Sequence, residues 1–271
     1  MASFYLMGNS TNSQMFGCVI QTQNQTFVID GGTGDDAQQL ADFLRDKANS
    51  HVDAWFFTHP HHDHIGAFCQ IAEKHKTIQI DRIYHHFPSI EQLIQYGKRG
   101  DQEVLLWRRL FSLLEGDYAS RVQILQKGDC FSFEDVEITV IRTVNESITD
   151  DFINNSSVVY SLKGPRYSIL ILGDLGAKAG EDLLRECDAS RLEADYTQMA
   201  HHGQGGANKV FYETIRPKRC IWPSPAWLWD NDAGNGFDTG PWNTVRTREW
   251  VAALGVTEHY VEKDGIQRIE F

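Results

Sequence analysis

Apolar and polar positions alternate along the first thirty residues, and this period of two predicts short β-strands. The segments FYLMG, GCVIQT and TFVIDGG follow the pattern, with polar turns between them. Residues 37–47 change to helical spacing, because their leucine and phenylalanine side chains fall on one face. The next predicted elements are a buried strand, a helix and a strand, over residues 52–58, 65–76 and 77–84. This order predicts an α/β fold with helices packed on sheets.

Residues 88–116 depart from this pattern. Residues 90–96 and 103–114 have the apolar spacing of helices, with Gly97 and Gly100 between them. We therefore predict a helical insertion at about 88–116. The strand pattern then resumes, and the later predicted elements are helices over 180–191 and 244–254, a buried strand over 197–200 and a short terminal pair of strands.

Charge and cysteine content narrow the class of protein. The 37 acidic and 25 basic side chains give a net charge of -12, and an acidic surface repels polyanions, which argues against a nucleic-acid partner. Five cysteines form no C-x-x-C pair, which is typical of reduced thiols. The N-terminus lacks a signal-peptide pattern, and no apolar run approaches the roughly 20 residues of a membrane helix. We expect a cytoplasmic protein without a membrane partner.

The candidate chemistry centres on the segment THPHHDH at residues 58–64. His59, His61, Asp63 and His64 are spaced H-x-H-x-D-H and directly follow a predicted buried strand. Imidazole nitrogens suit zinc, iron or nickel, and the carboxylate adds a harder oxygen donor. We predict that these side chains converge from a loop and bind metal. A histidine-rich surface loop is the alternative, but four of the 11 histidines lie within this one segment.

Three further strand ends carry groups that can bind metal. The segment ILILGD places Asp174 after an apolar strand, MAHHG places His201 and His202 after another, and FVIDGG contains Asp30. Strand ends of α/β proteins commonly hold ligand sites. Each group alone has a simpler interpretation, as a strand-capping aspartate or a structural histidine pair. The agreement of four strand ends favours one shared metal site.

This order of motifs resembles the metallo-β-lactamase superfamily. The matching parts are strand-Asp-Gly-Gly, T-H-x-H-x-D-H, an N-x-S-type segment, strand-Gly-Asp and His-His-Gly, and they extend over most of the chain. Within the superfamily the similarity is nearest to the branch of ComEC-type hydrolase domains and bacterial phosphorylcholine esterases. The resemblance implies one domain over residues 1–271, folded as a four-layer αββα sandwich with two metal ions at one edge.

The resemblance also implies the ligands of two divalent metals, with zinc as the expected ion and manganese or iron as alternatives. The first metal would be bound by His59 and His61, and the second by Asp63 and His64. Asp174 would bridge both metals.

The pair His201-His202 would supply one more ligand. His202 is favoured because it directly precedes the glycine, and His201 is the alternative. Asp30 would accept a hydrogen bond that orients a ligand.

One segment departs from the superfamily pattern. Many members place a third histidine ligand of the first metal before the Gly-Asp strand, whereas residues 152–157 here read FINNSS. The ComEC-type branch shares this feature. Asn155 or a water would fill the position, and a histidine from elsewhere, for example His86, is the alternative. The pair His85-His86 either faces the same cleft or lies on the surface.

The predicted function is hydrolysis of a small molecule, favoured to be a phosphodiester or a related small ester, by a hydroxide held between two metals. Asp63 would orient the hydroxide and His201 would donate to the oxyanion, so these two are the candidate catalytic residues. The alternative is a non-hydrolytic metalloprotein of the same fold, active in redox chemistry or as a metal-binding regulator. The complete set of aspartates and histidines favours catalysis over a regulator.

Two apolar segments are candidates for the walls of a substrate pocket. The insertion follows the strand that ends at His85-His86, so we expect Trp107 or Phe111 to form an apolar wall beside the metals. Four of the seven tryptophans lie in residues 221–242, where core and interface packing is the favoured interpretation and a pocket wall that faces the insertion is the alternative. For the insertion, the alternative is a subunit interface, so a homo-oligomer stays open.

Overall fold

Two seven-stranded sheets stack on each other and carry helices on their outer faces. The computed structural model describes residues 2–271. The first sheet has the order β16 (Gln267–Glu270), β1 (Ser3–Leu6), β2 (Gly17–Gln21), β3 (Thr26–Asp30), β5 (Ala54–Phe56), β7 (Ile83–His85) and β8 (Val122–Ile124). The second has the order β15 (His259–Val261), β14 (Cys220–Trp222), β13 (Tyr196–Gln198), β12 (Ser168–Ile171), β11 (Val159–Lys163), β10 (Val136–Arg142) and β9 (Cys130–Phe133). Strands β4 (His51–Val52) and β6 (Gln79–Ile80) form a separate pair.

Helices cover the two outer faces, which completes the expected four-layer αββα sandwich. The first sheet packs against α1 (Ala37–Ala48), α2 (His62–Lys74), α3 (Ile90–Gly97) and α4 (Asp101–Glu115). The second packs against α6 (Ala177–Glu186), α7 (Lys209–Ile215) and α9 (Thr244–Ala253). The short helices α5 (Phe152–Asn155) and α8 (Ala226–Trp229) lie in connections. Within residues 2–271, no helix has both the length and the apolar character needed to cross a membrane.

Successive residues along the strands of the first sheet point alternately to its two faces, as the sequence pattern predicts. In β3, Phe27 and Ile29 point into the layer between the sheets, where they join Ile138 and Tyr160 of the second sheet. Val28, between them, packs against the helices. Side chains of successive strand residues point to opposite faces, and burial of each large apolar side chain contributes roughly 1.5–3 kcal/mol. The alternating pattern therefore builds two cores at once.

The insertion at about 88–116 is helical, as predicted. The side chain of Ser89 accepts a hydrogen bond from the Gln92 amide, and the Gln92 side chain accepts one from the Ser89 amide. This reciprocal capping satisfies two amides at the start of α3 that have no partner within the helix. Lys98 ends α3 in a left-handed conformation, with φ 51°, and α4 begins three residues later.

The prediction that the last two strands pair with each other is wrong. Strand β16 lies against β1, with Ile269 opposite Phe4, whereas β15 lies parallel to β14 in the other sheet. The chain crosses from one sheet to the other after Val261. The two short strands look like a hairpin locally, but their partners lie far away in the sequence.

Parallel pairing brings the candidate site to one edge of the sandwich. Strands β3, β5 and β7 run parallel in the first sheet, and β12, β13 and β14 run parallel in the second. The carboxyl ends of parallel strands lie at the same edge. A hydrogen bond of 2.9 Å from the Val158 amide to the Thr58 carbonyl joins the two sheets there.

Candidate metal centre

The histidine motif crosses from a loop into a helix. His59 and His61 lie on the loop after β5, but α2 begins at His62, with His61 as its N-cap. The prediction that all four donors share a loop is therefore wrong for Asp63 and His64, which lie in the first turn of α2. A carboxylate there is favoured by the partial positive charge of the helix N-terminus. The first residues of α2 are polar, so the spacing of apolar residues does not show that the helix begins at His62.

The first group of donors consists of His59, His61 and Asp174. His59 Nε2 lies 3.0 Å from His61 Nδ1 and 3.6 Å from Asp174 Oδ2. All three side chains are buried.

The second group consists of Asp63, His64, Asp174 and His202. His202 Nε2 lies 3.2 Å from Asp63 Oδ2 and 3.5 Å from Asp174 Oδ2, and His64 Nε2 lies 3.2 Å from Asp174 Oδ1. Within the described residues, the inward-facing nitrogens of both histidines and Asp174 Oδ1 have no hydrogen-bond partner. Buried polar atoms without partners cost free energy, so their convergence on one point fits a cation. Asp174 belongs to both groups.

The outward-facing nitrogens of two of these histidines are held by acceptors. His64 Nδ1 lies 2.8 Å from Asp30 Oδ2, and His202 Nδ1 lies 2.7 Å from the Pro223 carbonyl. Asp30 is itself held by the Thr58 amide and hydroxyl, at 2.8 and 2.6 Å. Acceptors behind an imidazole keep the proton on Nδ1 and leave the Nε2 lone pair for a metal.

Charges alternate in sign in the second group but not in the first. Burial opposes protonation of His64, but Asp174 and Asp30 raise its pKa to about 10. Burial would raise the pKa of Asp174, yet His64 and His202 hold it well below its usual range. In the first group, burial and the neighbouring His64 lower the pKa of His59 well below its usual range. The second group therefore holds protonated imidazoles beside ionised carboxylates.

His201 and His202 have different surroundings although they are neighbours. His202 is fully buried, whereas the side chain of His201 is 23% exposed and lies farther out, with Nε2 3.9 Å from Asp174 Oδ2. Both residues adopt left-handed backbone conformations, with φ of 50° and 54°. Such strain persists only where the surrounding structure imposes it. The turn directs His202 into the second group and His201 into the cavity outside.

A cavity of about 320 Å³ opens beside the two groups. Its lining residues are polar: Gln14, His61, His62, Asp63, Arg99, Asp151, Asn154 and His201. A neighbouring cavity of about 400 Å³ shares Arg99 and Asp151 with it.

The insertion contributes a polar side chain to this cavity. The prediction that it forms an apolar wall is wrong. Trp107 is fully buried and donates from Nε1 to the Pro60 carbonyl at 2.8 Å, so it supports the histidine loop from beneath. Phe111 packs against the same core. Arg99, between α3 and α4, instead reaches the cavity, with Nη2 2.8 Å from His61 Nε2. Within the described residues, no tryptophan lines either cavity.

The family of the chain follows from comparison with known sequences. Residues 18–215 match the family model described as the metallo-beta-lactamase superfamily. This stretch covers more than half of the chain. The chain belongs to the metallo-beta-lactamase superfamily. A search of the curated proteins gives no match.

Solved structures of the superfamily fold are similar to this chain at low sequence identity. The metallo-beta-lactamase fold protein YhfI from Bacillus subtilis is 12% identical, with a TM-score of 0.57 and coverage of 100% of both chains. CmlA, a diiron beta-hydroxylase from Streptomyces venezuelae, is 12% identical, with a TM-score of 0.60 and coverage of 100% of this chain and 54% of CmlA. A diphosphatase from the PhnP family is 11% identical, with a TM-score of 0.50 and coverage of 100% and 98%. These similarities show the fold alone, so they do not distinguish a hydrolase from an oxidising enzyme.

The segment that lacks the superfamily histidine has two different asparagines. Asn155 Oδ1 accepts from the Ala179 amide at 2.9 Å. Its side chain therefore binds the N-terminal turn of α6 and does not line the cavity. Asn154 lines the cavity, and its buried Oδ1 has no partner within the described residues. His86 belongs to neither donor group and does not line the cavity, and its Nδ1 contacts the Leu125 carbonyl. His85 is buried against Phe87 rather than on the surface.

Sequence reasoning missed several side chains that line the cavity, among them Gln14, Arg99 and Asn154. Gln14 donates to Asp63 Oδ2 at 2.9 Å and accepts from the Gln204 side chain at 2.8 Å. None lies at the end of a strand, which was the signal used. For Arg99, the basic pair flanked by Gly97 and Gly100 was a visible signal of a turn, but nothing local shows where that turn points.

Proposed function

We propose that the protein is a metal-dependent hydrolase with a dinuclear site. The observation that carries this proposal is that Asp174 belongs to two buried groups of donors, and that within the described residues His64 Nε2, His202 Nε2 and Asp174 Oδ1 have no hydrogen-bond partner. The proposed ligands of the first metal are His59, His61 and Asp174, and those of the second are Asp63, His64, Asp174 and His202. Zinc is the proposed ion because each set contains two imidazoles, with manganese or iron as alternatives.

Two cations held by these residues would supply a hydroxide near neutral pH and neutralise charge that develops on the substrate. The chain supplies the positions of the reacting groups. We propose Asp63 as an orienting base, because Gln14 fixes its Oδ2 at the cavity wall. His201 is the proposed donor to an oxyanion, since its partly exposed side chain lies beside Asp174 and lines the cavity.

The proposed substrate is a small phosphodiester or a related small ester. A cavity of about 320 Å³ with a polar lining suits a small polar molecule. The net charge of -12 argues against a nucleic-acid substrate. The ComEC-type and phosphorylcholine esterase branch, the single domain, the cytoplasmic location and a homo-oligomer stay predictions from the sequence.

The test of hydrolysis is metal analysis combined with a panel of phosphodiester, thioester, lactone and β-lactam substrates. We expect turnover of a phosphodiester or small ester that requires the bound metals. Dioxygen consumption by an iron-loaded protein, with no turnover of any ester, would instead favour the redox alternative, to which the likeness to CmlA draws attention.

Replacing Asp30 with asparagine should weaken the second metal without emptying the first. The amide keeps the size of Asp30 but removes the carboxylate that holds His64 Nδ1. Loss of such an outer partner typically reduces metal affinity about 10- to 100-fold. Competition with a chromogenic chelator measures this change. Asp195→Asn is the matched control, because Asp195 accepts from the Ser168 amide and belongs to none of the candidate donor groups, and equal affinities in the two variants would refute the role of Asp30.

Metal binding should release protons at neutral pH. The pKa of His64 is raised to about 10 and that of His202 lies well above its usual range, so both imidazoles carry a proton before a metal binds. A ligand imidazole must be neutral, so about two protons leave per second-site metal. Apparent affinity should therefore rise with pH up to about 10. Calorimetry in buffers of different ionisation enthalpy counts the protons, and a count of zero at pH 7 would contradict this charge pattern.

A further inference from the structure

Arg99 contacts His61 in a way that fixes the tautomer of the ring. Arg99 Nη2 lies 2.8 Å from His61 Nε2. A guanidinium has only N–H donors and no lone pair, so the contact requires an unprotonated Nε2. A ring without a proton on Nε2 is not an imidazolium, so His61 is neutral in this contact. The single proton of the ring is therefore on Nδ1.

This tautomer is incompatible with the proposed metal ligation by His61. Nδ1 is the atom that faces His59 Nε2, at 3.0 Å, within the first group. A ligand nitrogen must present a lone pair, so metal at Nδ1 moves the ring proton to Nε2. An N–H on His61 would then face an N–H on Arg99. The Arg99–His61 contact and metal bound by His61 Nδ1 exclude each other.

The guanidinium of Arg99 has few potential partners other than His61. Its side chain is exposed and lies in a turn that contains Gly97 and Gly100. Within residues 2–271 the guanidinium contacts His61 and forms no ion pair with a carboxylate. Asp151, which lines both cavities with Arg99, accepts two hydrogen bonds from Asn154 Nδ2, at 3.0 and 3.2 Å. The charge of Arg99 therefore lies, without a paired carboxylate, on a wall that both cavities share.

We propose that Arg99 is the residue that recognises an oxyanion, phosphoryl or carboxylate, on the substrate. With a metal on His61 Nδ1, the guanidinium would leave His61 Nε2 and be free to bind that oxyanion. The planar fork of a guanidinium matches two oxygens of such a group. This inference rests on the proposed metal ligation and adds the charge of the substrate to the proposed function. It also explains a cationic side chain in the active cavity of an acidic protein.

The binding test uses inorganic phosphate and, separately, acetate, each titrated by calorimetry into the metal-loaded protein. Arg99→Gln should bind one of these anions about tenfold or more weakly, because a hydrogen-bonded charge is lost, and Arg99→Lys should recover part of the affinity. The anion with the larger loss identifies the substrate group. Lys98→Gln is the matched control, since it removes the same charge from the same turn but lines only the neighbouring cavity. Unchanged affinity for both anions in Arg99→Gln, or an equal loss in Lys98→Gln, would overturn the proposal.

A second measurement follows the tautomer itself. Nitrogen-15 NMR of the His61 ring should show the proton on Nδ1 in the metal-free protein and on Nε2 in the metal-loaded protein. A proton that stays on Nδ1 after loading would overturn the exchange. Neither measurement needs turnover, so an absence of hydrolysis would contradict the proposed function alone, whereas a chain that binds no metal would overturn both.

Discussion

The Asp174→Ala variant should lose both metals and at least about a thousandfold of the hydrolytic rate, because two-metal catalysis depends on both ions. Asp174 Oδ1 faces His64 and Oδ2 faces His59 and His202, so no other side chain serves both groups within the described residues. Elemental analysis and initial rates measure the two effects. The circular dichroism spectrum should stay native, because three apolar cores support the fold.

Asp182→Asn is the control for this prediction. Asp182 lies on α6, bonds Asn145 and belongs to neither donor group. It should keep its metals and its rate. A native Asp174→Ala protein with full metal content and unchanged activity would remove the basis of the assignment.

The Gly203→Ala variant should be the most destabilising small change near the site. Gly203 has φ 80°, and a Cβ there would overlap the ring of the buried Trp222. Positive φ and overpacking each cost about 1–3 kcal/mol, so the free energy of unfolding should fall by about 2–5 kcal/mol. Denaturant titration measures this loss. Because His202 immediately precedes Gly203, second-site metal affinity should fall with it.

Gly205→Ala tests whether the effect belongs to this one position. Gly205 lies in the same turn, but its φ is outside the left-handed range and the nearest atom to a new Cβ is Asn243 Nδ2, at 3.9 Å. Its stability should stay near that of the parent protein. Similar losses in the two variants would show that the turn tolerates no side chain at all, against the explanation by Trp222.

The layers of the fold could be predicted because their cause is local. Alternation in segments such as residues 26–30 decides which side chains face the second sheet, and helical spacing decides which face of α1 is buried. The pairing of β16 with β1 could not be predicted, because Ile269 and Phe4 meet only once the chain is folded. Strand partners are a property of the whole chain, whereas the period of two is a property of a few residues.

The candidate donors were also visible in the sequence, because each follows an apolar strand. Their division into two groups around Asp174 required the structure, as did the start of α2 at His62. Trp222 differs, because its aromatic segment allowed two interpretations. Core packing was the favoured one and a substrate wall the alternative, and the ring is fully buried against the turn of Gly203. Composition shows that an aromatic side chain will be buried, but not which surface it covers.

The most direct test of the central claim is an anomalous difference map from crystals of the protein loaded with zinc. We predict two peaks on either side of Asp174, one in contact with His59 and His61 and the other with Asp63, His64 and His202. A single peak that does not touch Asp174, or two peaks outside these groups, would contradict the dinuclear site.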